Sequence, residues 1–195
     1  MKILSIDGGG VRGLIPGMVV VEIEKRMGKP VSELFDLIAG TSAGGHIALA
    51  LTAPGPDGKP RWKAEDLAVF YREAYGRIFE NSGLKILDTL KGLSHERYSS
   101  EGIERVLDEI FGDTKISEAL CEVLVTAYEV ESGAPHFFVR SEARENPEKD
   151  YLMRFVARAT SAAPTYFEPA AKIGSDEKLA FIDGAVFANN PTMCA

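Results

Sequence analysis

Twice within its first 51 residues the chain runs a short apolar segment into glycine and then into a helix-like pattern. Residues 2–6 (KILSI) meet Asp7-Gly8-Gly9-Gly10. From Leu14 to about Met27, Ile15, Met18, Val19 and Ile23 then recur at helical spacing, with Pro16 in the first turn and Gly28 and Pro30 as stops. Residues 35–39 (FDLIA) meet Gly40, and Ala43 to Leu51 continue as a helix of small residues. Strand, tight loop and helix in repetition build a mostly parallel sheet covered by helices on both faces, and ligands bind beyond the carboxyl ends of its strands. The expected fold class is α/β, a three-layer α/β/α architecture. A chain of 195 residues suits one domain, 1–195, with a core that needs neither metal nor disulfide.

The remaining segments fit that frame. Leu67, Phe70, Tyr71, Ala74, Tyr75 and Ile78 fall on one face of a helix over residues 64–79, and Ile103, Val106, Leu107, Ile110 and Phe111 do the same further on. Between them, residues 80–98 carry five apolar residues from Leu84 to Leu93 with no clear start or stop. They read as a mobile lid or as a surface loop with a short core-packing helix. Residues 122–130 and 136–140 are expected strands about a turn at Glu131 to Pro135. Tyr151 to Ala163 is an expected helix stopped by Pro164, and the strand 179–182 (LAFI) leads into Asp183-Gly184.

Charge narrows the partners. With 22 Lys and Arg against 29 Asp and Glu the formal net charge is −7, which argues against a nucleic-acid footprint and confines membrane contact to something local and transient. Cys121 and Cys194 form no metal or redox spacing and are expected as reduced thiols. The four residues between Lys2 and Asp7, Ile3-Leu4-Ser5-Ile6, are too few for the apolar stretch of a signal peptide, and no apolar run reaches about 18 residues, so a cytoplasmic location is expected.

Three glycine-flanked polar sites lie at predicted strand ends. Gly40-Thr41-Ser42-Ala43-Gly44 is a G-x-S-x-G sequence between a strand and a helix, as a nucleophile elbow requires, with Ser42 as the nucleophile. The following helix N-terminus favours developing negative charge. Glycine, serine and alanine are also what a plain strand-helix turn would use. The loop Asp7 to Gly13 satisfies G-x-G-x-x-G through Gly8, Gly10 and Gly13. A dinucleotide site would need an acid closing a second strand about 20 residues on. Glu22 and Glu24 lie inside the helical pattern instead. As an oxyanion hole, the same loop offers backbone amides beside the elbow. Arg12 either steadies that loop, meets a lipid phosphate or is simply solvated.

The third site is Asp183-Gly184-Ala185, which as a bare pair is also a common turn. No histidine follows Asp183, so the order Ser, Asp, His of an α/β-hydrolase triad is not met with Asp183 as its acid, and a Ser42–Asp183 dyad is preferred. His46 and His136 are expected as packing residues, although a triad of an earlier acid with His136 stays open. An aspartate base needs a partly desolvated site to gain basicity.

These motifs, in this order, resemble those of the patatin-like phospholipases, and the likeness extends through residues 159–167 (ATSAAPTYF) and Asn189-Asn190-Pro191. The resemblance implies Ser42 as nucleophile and Asp183 as proton acceptor. It implies an oxyanion hole from amides of the loop Gly8, Gly9, Gly10, Val11, Arg12 and Gly13, centred on Gly9, Gly10 and Val11, and motif roles for Gly40, Gly44, Gly184 and Ala185. No metal or other cofactor is implied. The implied substrate is a phospholipid or other acyl-ester lipid, cleaved through an acyl-enzyme. An acyltransferase on the same site, and a non-catalytic phosphate- or nucleotide-binding module built on the glycine loop, are the alternatives. His46 stands where the family suggests an apolar residue. The end at Ala195, soon after Asn189-Asn190-Pro191, leaves a C-terminal truncation as an expectation.

Overall fold

Strand β3 (Glu122–Glu129) organises the sheet, because EVLVTAYE is an apolar, β-branched run buried on both faces for most of its length. The computed structural model describes residues 1–79, 100–172 and 179–195. The segment 80–98 read from sequence as a lid, and His95 within it, lie outside the described residues. β1 (Ile3–Ile6) pairs parallel with β2 (Leu37–Thr41), and β2 pairs parallel with β3. β4 (Ala134–Val139) and β6 (Leu179–Asp183) are antiparallel to β3, and β5 (Ala170–Lys172) is antiparallel to β6. Among the described residues the mixed sheet has six strands and runs β1-β2-β3-β6-β5 with β4 beside β3, so β1, β2, β3 and β5 share one direction.

One consequence of the register decides where the chemistry sits. Residues 124–129 of β3 pair with β4 on one edge. On the other edge β2 occupies residues 122–126 and β6 occupies residues 127–129. β2 and β6 therefore run toward each other along a single edge of β3. Their carboxyl ends meet where Thr41 pairs Thr126 and Asp183 pairs Ala127.

Alternation along the strands divides the interior. Ile6, Ile38, Val123, Val125 and Phe181 face the larger core, with Val20 and Val21 of α1 (Leu14–Met27) and Ile47 of α3 (Ala43–Thr52). Val31 of α2 (Val31–Leu34) and Leu67 of α4 (Ala64–Phe79) join them. So do Phe111 of α5 (Ser100–Phe111), Ala143 of α6 (Arg140–Glu145) and Val156 of α7 (Met153–Thr160). On the opposite face Leu37, Ala39 and Leu124 pack with Val139, Cys194 and Ala195. That layer is completed by α8 (Ala185–Ala188) and the 3-10 turn Pro191–Met193. The expected three-layer α/β/α arrangement is what forms.

Several boundaries differ from the sequence reading. β2 extends two residues past Ala39 through Gly40, which reads as a breaker by composition. Gly40 is nevertheless paired within the strand, and the position excludes a side chain because a Cβ there would collide with the backbone of Gly44. The helix expected over residues 151–163 is shorter, Met153–Thr160, and β4 starts inside the expected turn, at Ala134. The short α2, α6 and β5 carry too few residues to show a period. Among the described residues no helix is long and apolar enough to cross a membrane.

Candidate active site

Ser42 follows β2 in a backbone conformation that side chains rarely adopt, with φ 54° and ψ −123°. Such a residue costs about 1–3 kcal/mol and persists only where its surroundings over-determine it. Here three bonds do so. The Ser42 N–H donates to Thr160 Oγ1 at 2.8 Å, its carbonyl accepts the His46 N–H at 3.0 Å as α3 begins, and its Oγ donates to Asp183 Oδ2 at 2.7 Å. Gly44 makes the turn sterically feasible. A Cβ at that position would collide with the carbonyls of Ile6 and Asp7, so the exit of β1 crosses directly over the first turn of α3. The same crossing brings the glycine loop to the serine, and a Cβ on Gly8 would lie 3.3 Å from that of Ser42.

Asp183 arrives from the other direction on β6. Its Oδ1 accepts the Ala185 N–H at 2.8 Å, and its own N–H donates to the Ala162 carbonyl at 3.0 Å. Both partners are enclosed, with Ser42 9% and Asp183 4% exposed. Burial pushes the Asp183 carboxyl above the ordinary aspartate value, and the hydrogen bonds from Ser42 and Ala185 pull the other way. Gly184 packs its Cα against Thr126, where a Cβ would strike that residue's hydroxyl and backbone, and Ala185 opens α8.

Two amides of the Gly8–Gly13 loop are spent within the protein. Gly8 donates to the Asn189 carbonyl at 2.9 Å, and Arg12 donates to the Gly9 carbonyl at 3.1 Å as residues 10–13 form a 3-10 turn. Neither can face an oxyanion, so Gly8 and Arg12 drop out of the donors that the resemblance implies. Gly13 is buried at the entry to α1, whereas Val11 and Arg12 lie exposed on the rim.

The two histidines among the described residues lie elsewhere. His46 is half-buried on α3 with Nε2 3.0 Å from the Ala157 carbonyl, an arrangement that needs Nε2 to carry the proton. Burial lowers its pKa to about 4, with the bond to Ala157 opposing. His136 sits among Phe138, Phe181 and Tyr151, its pKa lowered by burial first and by Lys149 second. Neither imidazole is hydrogen-bonded to the Ser42 hydroxyl or to Asp183. Among the described residues no group of His, Cys, Asp and Glu is arranged to hold a metal ion.

The family model for patatin-like phospholipase matches residues 4–195. The chain belongs to the patatin-like phospholipase family. Among its patatin-like relatives, Patatin-like protein 2 of Oryza sativa subsp. indica is 37% identical over 100% of this chain and 52% of its own length. Another, named Probable inactive patatin-3-Kuras 1, from Solanum tuberosum, is 30% identical over 99% of this chain and 53% of its own. The chain thus spans about half the length of the curated relatives it matches. The solved structure of VipD from Legionella pneumophila is 12% identical with a TM-score of 0.42, covering 94% of this chain and 45% of that one.

Local sequence pattern does not reveal every residue that shapes this patatin-like site. Thr160, Ala162 and Asn189 hold the backbones of Ser42, Asp183 and Gly8 in turn. Thr160 and Asn189 act across more than 100 residues of chain, and Ala162 reaches Asp183 from a separate element. The one local hint for Thr160 is a buried hydroxyl placed in a run of small residues just before Pro164.

Proposed function

We propose that this chain is a lipid acyl hydrolase of phospholipase A type, with Ser42 as nucleophile and Asp183 as proton acceptor. The observation that carries the reading is the 2.7 Å hydrogen bond from Ser42 Oγ to a buried Asp183 carboxylate whose basicity burial has raised. In the first half-reaction Ser42 Oγ attacks the acyl carbonyl as its proton passes to Asp183. Amides of the Gly9–Val11 segment and the N-terminus of α3 favour the negative charge on the carbonyl oxygen. Collapse of the intermediate breaks the ester C–O bond. Asp183 returns its proton to the leaving alcohol, the lysolipid, and the acyl group remains on Ser42. Water then loses a proton to Asp183 and attacks the acyl-enzyme; the bond from the acyl carbon to Ser42 Oγ breaks, and Asp183 returns the proton to Oγ as the carboxylic acid leaves.

Reaction with a fluorophosphonate probe, with turnover of a short-chain ester and of a phospholipid, tests the assignment. Wild type should label and turn over, Ser42→Ala should do neither, and Asp183→Asn should lose turnover by at least about 10²-fold. Folded wild-type protein that neither labels nor hydrolyses either substrate would exclude the reading. Hydrolysis of the short ester alone would leave the hydrolase and remove the phospholipid.

A further inference from the structure

The last residue of α7 is placed to do more than pack. Thr160 is fully buried, and its Oγ1 takes the amide proton of Ser42 at 2.8 Å. Two residues on, the Ala162 carbonyl takes the amide proton of Asp183 at 3.0 Å. One turn of chain, residues 160–162, thus grips the backbones of both the serine and the aspartate, which arrive on different strands. The turn is itself anchored. His46 Nε2 and Ser161 Oγ both donate to the Ala157 carbonyl, at 3.0 and 2.8 Å, tying α3 to α7 and the turn back to its own helix. α3 and α7 also approach closely at this point, since a Cβ on Gly45 would lie 2.9 Å from Thr160 Cγ2.

The Ser42 amide requires such a partner. Ser42 has left the β2 ladder and precedes α3, so neither the sheet nor the helix offers its N–H a carbonyl, and a buried amide without an acceptor is unfavourable. An acceptor fixed in direction also sets the rotation of the Ser42 backbone, and with it the place from which Oγ points at Asp183. We infer that Thr160 is a positioning residue for the Ser42–Asp183 pair, its hydroxyl oxygen holding the strained amide of Ser42 while the turn it begins holds Asp183. The inference rests on the hydrolase reading above and adds a residue to it. Thr160 touches no substrate in this role and exchanges no proton with it.

Thr160→Val keeps the shape and removes the acceptor, whereas Thr160→Ser keeps the acceptor and removes the methyl that meets Gly45. The measurements are the rate of fluorophosphonate labelling and kcat and KM on a monomeric short-chain ester, each per mole of folded protein taken from a cooperative melt. Misplacement of a nucleophile by around an ångström costs on the order of 10²-fold. Thr160→Val should therefore label and turn over about 10- to 100-fold more slowly with KM unchanged, and Thr160→Ser should stay within about threefold of wild type. Should Thr160→Val fail to fold, Thr160→Cys, whose sulfur is a weak acceptor, takes its place and should again label at least about tenfold more slowly than Thr160→Ser. A valine or cysteine variant as fast as wild type overturns the positioning role. So does a serine variant as slow as valine, which would assign the effect to the methyl packing. An unlabelled, inactive, folded wild type overturns instead the hydrolase reading on which the inference stands.

Discussion

A hydroxyl with an ordinary pKa becomes a nucleophile only if its base is strong enough to share the proton, and Asp183 gains basicity by being taken out of water. That gain is a loss for folding. An aspartate whose folded pKa lies above its ordinary 3.8 binds protons more tightly folded than unfolded. Stability therefore falls as pH rises from 3.8 through the folded value, and above it the buried charge is a standing cost. Asp183→Asn removes the charge while its amide can still donate to Ser42 and accept from Ala185. At pH 8 the variant should melt above wild type, by roughly 2–4 °C for each kcal/mol of relief, and the gap should close as pH falls through the wild-type carboxyl's folded pKa. Equal melting of the two proteins at pH 8 would mean that burial does not govern this carboxyl. In the same titration wild-type turnover should decline on the acid side above the range of an exposed aspartate. His46 adds no limb near 6.5, because its folded pKa is about 4.

At the scale of elements, two helices carry glycines that composition cannot tell apart. Gly17 in α1 has nothing within 4 Å of where its Cβ would be, whereas Gly44 in α3 faces the carbonyls of Ile6 and Asp7. Gly17→Ala should stabilise the protein by about 0.5–1 kcal/mol through helix propensity alone. Gly44→Ala should destabilise it by about 1–3 kcal/mol and abolish labelling, because β1 must lift off α3 and take the glycine loop with it. Paired denaturation curves decide the matter, and a neutral Gly44→Ala would deny that this crossing builds the site. The contrast also shows what sequence can supply. The turn chemistry at Gly40–Gly44, at the Gly8–Gly13 loop and at Asp183-Gly184 is local, so the three polar turns that follow strands were readable from spacing. The direction of β6 was not, because a short apolar run reads the same whichever way its partner points. Nor were the bonds to Thr160 and Ala162, which join separate elements and leave no periodic mark. The loss of the Gly8 amide to Asn189 likewise required the fold, since both residues look like ordinary loop chemistry.

In the whole molecule, the Ser42–Asp183 pair is divided between two halves of unequal strength. β2 shares five register pairs with β3 and four with β1, and its end runs straight into the buried α3. Among the described residues β6 shares three with β3 and three with β5, which lies at the edge of the sheet. What chiefly holds β6 is Phe181, fully buried with Phe138 and Phe155 about it at ring separations of 5.3 and 6.0 Å. Sub-global openings follow the weaker unit, so amides of β5 and β6 should exchange at lower free energy than those of β2, β3 and α3 in native-state hydrogen exchange. When that unit opens, Asp183 leaves while Ser42 stays on a folded core. Labelling in mild denaturant should then fall before far-UV ellipticity does, and Phe181→Ala, expected to cost about 3–5 kcal/mol, should widen the interval between the two midpoints. Coincident midpoints in both proteins would instead make the sheet a single cooperative unit, in which a weakened β6 lowers the stability of the nucleophile's half equally.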